Sequence, residues 1–86
     1  MKLIVGDTYD VEVVKILSYG AIVKMSDDST QLLHISNISE KFVRDVNDFM
    51  KVGDKIKVDC IAGKVKPEEL SIKAYTKDFD PYHTKK

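Results

Sequence analysis

Two side chains in this sequence stand where their types could do more than pack: the histidine of "LLHIS", residues 32–36, and the tyrosine of "SYGAIVK", residues 18–24. In an extended chain Leu33 and Ile35 share one face, while Leu32, His34 and Ser36 share the other. Taken alone, the pentapeptide describes a histidine at the edge of a core, hydrogen-bonded to a neighbour. Set beside Tyr19 on a paired strand, it describes something else. An exposed tyrosine next to a histidine, with lysines around, is a stacking platform for unpaired bases. Aromatic rings accept any base, and ammonium groups attract the backbone. Ile22 belongs to the same patch if a bulge at Gly20–Ala21 turns both Tyr19 and Ile22 outward, because a three-residue spacing does not keep side in a regular strand.

Other chemistry is scarce. Cys60 is the single cysteine and excludes an intramolecular disulfide. In "KIKVDC" it alternates with Lys55, Lys57 and Asp59, which describes a buried, inert thiol. The acids of "DD" at 27–28 read as a turn, and His83 has no partner at metal-ligand spacing. With no nucleophile, metal set or glycine-rich phosphate loop, the chain reads as non-catalytic and without a cofactor.

Composition bounds the partners. Eighty-six residues, 43% hydrophobic and 33% charged, make one small globular domain. The 14 basic and 14 acidic side chains cancel, so any anion binding must come from a local patch. Of the 14 cations only Arg44 is an arginine, so bidentate recognition is scarce and diffuse lysine contacts are favoured. The start "MKLIVGD" is too short for a signal sequence and no apolar run reaches spanning length, so no membrane and a cytoplasmic location are expected.

The elements that must position Tyr19 and His34 are strands. "VGD" occurs at 5–7 and 52–54, each time as a turn leading into a β-branched run, "TYDVEVVKI" and "KIKVDCI". In the first run apolar residues shift phase between 13 and 14, which predicts a bulge or a strand buried on both faces. "YGAIVKM" and "QLLHIS" read as the second and third strands, joined by the polar turn "DDST"; "ELSIKAY" (69–75) reads as a fifth. Between the third and fourth, Phe42, Val46, Phe49 and Met50 recur at helical spacing behind Asn37 and Glu40, a pattern like a capping box. A short helix over 38–50, or two shorter turns, follows. The expected fold is all-β: a five-stranded antiparallel OB-type barrel with a helix between strands three and four. Its predicted core is Val13, Val23, Leu33, Ile35, Ile56, Val58, Cys60, Leu70 and Ile72, with Phe42, Val46 and Phe49 over an open end. Residues 1–76 form the domain and 77–86 a flexible C-terminal tail.

"VGDTYDVEVVKILSYGAIVKM", "LLHIS", "VGDKIKVDC" and "LSIK", in this order over residues 5 to 75, resemble the S1 RNA-binding domain, an OB-fold family. In that family two aromatics bracketing a Gly-Ala step, a histidine on the third strand, and an aspartate and arginine in the last loop contact RNA. The resemblance assigns Tyr19 to the first aromatic position and His34 to the histidine. Ile22 stands in place of the second aromatic, and Gly63 and Pro67 stand near the loop aspartate and arginine. Val11 and Gln31 replace two common glycines. Lys64 and Lys66 return positive charge to that loop, while Lys15, Lys24, Lys57 and Lys73 are candidates for the surrounding patch.

Two functions remain open at this point. One is a monomeric, non-catalytic module binding single-stranded RNA with low sequence specificity. The other is a protein-interaction module docking on a ribosome, RNA polymerase or RNA-processing assembly, which neutrality and the apolar Ile22 would suit.

Overall fold

The computed structural model describes residues 2–40, 42–63 and 66–77. Five strands follow in chain order: β1 Thr8–Leu17, β2 Gly20–Lys24, β3 Thr30–His34, β4 Lys55–Ala62 and β5 Glu68–Ser71. They form one antiparallel sheet in the order β3-β2-β1-β4-β5. β1 is the long central strand because both VGD turns lengthen its ladder with β4. Around the first, Gly6 N donates to Cys60 O and Cys60 N to Asp7 O, each at 2.9 Å. Around the second, Gly53 N donates to Val13 O at 2.7 Å and Val13 N to Asp54 O at 2.8 Å. The predicted phase change is a real irregularity: the register with β2 slips between Val13 and Lys15, so Val13 points inward and Lys15 outward. Such a slip bends and twists a strand, as a closing barrel needs.

The sheet curls until its outer strands meet, and the closure is made by side chains and a turn rather than a ladder. A single 3-10 turn, Ile35–Asn37, follows β3. Its last carbonyl, on Asn37, accepts from Ile72 N at 3.0 Å and Ser71 Oγ at 3.3 Å, and Asn37 Nδ2 donates to Glu69 Oε1 at 3.1 Å. Thr76 Oγ1 donates to Ile38 O at 2.6 Å. Asn37 and Thr76 are buried, and every one of these polar atoms has its partner.

Inside lie Val13, Val23, Leu33, Val58, Cys60, Leu70 and Ile72, as predicted; Ile35 and Ile56 are half-buried and pack against them. Val11, Ala21, Met25, Ile38, Val43, Val46 and Met50 complete the core. Cys60 is 2% exposed, and burial, with the carboxylates of Glu68 and Asp7, pushes its thiol up. Cys60→Ser should therefore cost about 1–3 kcal/mol in chemical denaturation, because a hydroxyl replaces a weakly polar thiol in an apolar setting. Rapid thiol labelling of the folded protein would contradict this placement.

Three expectations are corrected. No α-helix spans 38–50 among the described residues; the second of the two options holds, with 3-10 turns at Ile35–Asn37 and Val46–Asp48. Asn37 is committed to Glu69 and so does not cap a helix, while Asp45 Oδ1 accepts from Asn47 N at 2.9 Å and starts the later turn. Val43, Val46 and Met50 still point inward, but Phe42 is 78% exposed and covers nothing; Phe49 is half-buried. Last, β5 ends at Ser71, and Lys73–Thr76 forms one helical turn, α1, that carries Thr76 to Ile38. From residue 78 onward the predicted tail lies outside the described residues. Among the described residues no helix is long and apolar enough to cross a membrane.

Candidate nucleic-acid interface

The barrel has an inner and an outer face, and strand pairing decides which outer residues become neighbours. Ala21, Val23 and Leu33 face the core, so Gly20, Ile22, Lys24, Leu32 and His34 face out. Across β1-β2-β3 the register then makes three outer rows: Leu17–Gly20–His34, Lys15–Ile22–Leu32 and Glu12–Lys24–Thr30. Ile22 is thus flanked by an exposed lysine on one side and a leucine on the other. The middle of the patch is apolar, bordered by cations and by the imidazole.

The bulge predicted to turn Tyr19 onto this face is absent. The register runs unbroken through Gly20 and Ala21, so no bulge lies there. Instead Tyr19 belongs to the Ser18–Tyr19 turn between β1 and β2, where strand alternation does not apply. Its carbonyl accepts from Ile35 N at 2.8 Å, which holds its backbone beside the end of β3, and its side chain is 52% exposed. Gly20 makes this approach possible. A Cβ there would run into the carbonyl oxygen of Leu33, so only glycine lets β2 and β3 come this close.

His34 is exposed and caps the 3-10 turn that follows it. Its Nδ1 accepts from Ser36 N at 3.1 Å and lies 2.8 Å from Ser36 Oγ. The histidine is hydrogen-bonded to a neighbour, as the edge reading expected, and its side chain is exposed. Around the patch the charges are partly matched. Lys24 Nζ lies 3.9 Å from Asp28 Oδ1, and Lys15 stands opposite Ile22. In the turn beside Lys24, the hydroxyl and then the backbone N–H of Ser29 hold the Asp27 carboxyl down at about 2, so that turn stays anionic.

Lys55 stands opposite Glu12, next to the third row. Lys57 is paired with Asp10 at 3.1 Å on the β1–β4 face, and Lys73 lies at the start of α1. Lys66 is exposed in the turn before β5, and Lys64 is outside the described residues. That turn is tight: Gly63 N meets Pro67 O at 3.4 Å, and a Cβ at Gly63 would collide with the Lys66 carbonyl and the Glu69 side chain. An aspartate at position 63 would therefore not fit without moving the loop. Tyr75 is exposed at a different place, its hydroxyl donating to Asp59 Oδ1 at 2.7 Å, and that bond pushes the phenol up. The sequence reading put Leu32 and Ser36 on the His34 face by alternation but named neither as a site residue, and it left out Leu17, whose pairing depends on the β1 slip.

Residues 2–74 match the S1 RNA binding domain. The chain belongs to this family. Over 74 residues, 86% of its length, this S1 domain is 40% identical to a polyribonucleotide nucleotidyltransferase of Solibacter usitatus (strain Ellin6076), of which the match covers 11%. It is 36% identical over 78 residues to General stress protein 13 of Bacillus subtilis (strain 168), covering 85% of this chain and 58% of that one. The solution structure of GSP13 from Bacillus subtilis superposes with a TM-score of 0.73 at 32% identity, over 98% of this chain and 66% of the other. A chain in the crystal structure of an a/eIF2alpha-aDim2p-rRNA complex from Pyrococcus horikoshii OT3 gives 0.74 at 25% identity, over 91% and 49%. The S1 domain spans between 11% and 58% of the length of these curated relatives.

Proposed function

We propose that this S1 domain binds single-stranded RNA, without catalysis and with little sequence preference, through the outer face around Tyr19, Ile22 and His34. Tyr19 stacks one base, His34 contacts a neighbouring one, and Lys15 and Lys24 hold the phosphates. The observation that carries this reading is the row Lys15–Ile22–Leu32 beside the row Leu17–Gly20–His34, with an exposed tyrosine at their end. A hydrogen-bonding imidazole, an apolar floor and a cation share this sheet face, and the exposed ring of Tyr19 stands in the adjoining turn. Solved relatives include a chain crystallised in a complex with rRNA, which agrees with this class of ligand.

Binding is expected to be weak. The net charge is zero, and the second ring of the pair is replaced by Ile22. If two or three phosphates are neutralised, affinity for a short oligonucleotide falls with salt at a log–log slope of about −1.4 to −2.1. Its dissociation constant should be on the order of micromolar to millimolar. Ile22→Phe restores a ring between Lys15 and Leu32 and should tighten binding up to about tenfold, with duplex RNA binding worse than single strands. An NMR titration at low salt tests all of this together. Nanomolar, salt-insensitive or duplex-preferring binding would sink the mechanism. No shifts at Tyr19, Ile22 and His34 would favour the face as a protein-docking surface instead.

A further inference from the structure

We infer that Ser36 is a positioning residue: it holds the His34 ring with Nδ1 as acceptor and Nε2–H turned outward, a hydrogen-bond donor for an acceptor atom on the edge of an unstacked base. This deepens the RNA reading and rests on it for the ligand, though not for the geometry. A backbone N–H can only donate. Because Ser36 N–H points at His34 Nδ1 at 3.1 Å, that nitrogen must present its lone pair, and the ring proton of the neutral imidazole sits on Nε2. The Ser36 hydroxyl, 2.8 Å from the same nitrogen, is then a second donor to it. The two contacts come from one residue and fix both the tautomer and the plane of the ring.

The clamp is rigid because the turn that carries it is anchored from below. Ser36 is the middle residue of the 3-10 turn, Ile38 N closes that turn on Ile35 O at 3.2 Å, and Asn37 O is bonded to Ile72 N and Ser71 Oγ. Ser36 itself is exposed, so its hydroxyl is not needed for the core. Among the described residues Nε2 has no protein partner. Every base carries acceptor atoms on its edges, so a fixed donor reads the presence of an unpaired edge rather than its identity. That agrees with a module of low sequence preference.

The test uses the full chain, with Ser36→Ala and Ser36→Thr. Long-range proton–nitrogen spectra of the imidazole report which ring nitrogen is protonated, and titration with a short oligouridylate reports affinity. Wild type and Ser36→Thr should show the Nε2–H form alone and equal affinity. Ser36→Ala keeps the backbone donor, and with it the Nε2–H form, but loses the hydroxyl that helps hold the ring plane, and should bind roughly two- to tenfold more weakly, the span of one net hydrogen bond. An Nδ1–H or mixed form in wild type overturns the inference, and so does unchanged affinity in Ser36→Ala. If wild type shows the single Nε2–H form but binds no oligouridylate, the positioning stands and the RNA reading fails.

Discussion

Gly20→Ala is expected to lower the stability of this domain by about 2–6 kcal/mol, the sum of an overpacking cost and a backbone held where side chains are strained. The added Cβ meets backbone, the Leu33 carbonyl, rather than the movable end of a side chain. Either β2 and β3 separate or Gly20 leaves its present conformation, at a φ of 154°. Small domains hold on the order of 5–15 kcal/mol in total, so the loss is a large part of it. Urea denaturation measures the effect. Because Gly20 faces His34 across the pair, amide shifts in the variant should spread from residues 20 and 34 along both strands. A variant with unchanged midpoint would show that β2 and β3 do not approach as closely as described.

Tyr19→Ala should do the opposite: leave the fold and remove the binding. Stacking on one ring contributes about 1–3 kcal/mol, so affinity for a short single strand should fall roughly 5- to 150-fold. The side chain is half exposed and lies in a turn, so its loss should move the thermal midpoint by less than about 4 °C. His34→Ala differs in one respect. His34 Nδ1 caps the turn at Ile35–Asn37, so its removal should also cost about 0.5–1.5 kcal/mol of stability. The comparison separates the two roles: weaker binding with an intact midpoint at Tyr19, and weaker binding with a modest loss of stability at His34. If Tyr19→Ala unfolds the protein, Tyr19 belongs to the scaffold and the stacking role is wrong.

Much of the barrel was legible because its signals are local. Alternation in "KIKVDC" and "QLLHIS" follows from the two-residue period of a strand, and the VGD turns mark where β1 and β4 begin. The slip in β1 could be read from the phase of its apolar residues. The helix could not, because Phe42, Val46 and Phe49 keep helical spacing whatever the backbone does. Which of them is buried depends on Asn37 meeting Glu69 and on Asp45 starting its own turn. Those are contacts between distant residues, and periodicity carries no information on them.

The site divides the same way. Residue types alone named Tyr19 and His34 as the candidates and lysines as the expected source of charge. The tertiary structure alone decided who stands beside whom. Strand register set Lys15 against Ile22 and Gly20 against His34, and Tyr19 lies in a turn rather than at a bulge. It also drew Lys57 into a pair with Asp10. The physical reason is that alternation tells which face a residue takes but not which strand lies next to it. Neighbours across a sheet are chosen by the pairing of whole strands, and those pairings are closed by residues such as Asn37 and Ser71, 34 positions apart in the chain.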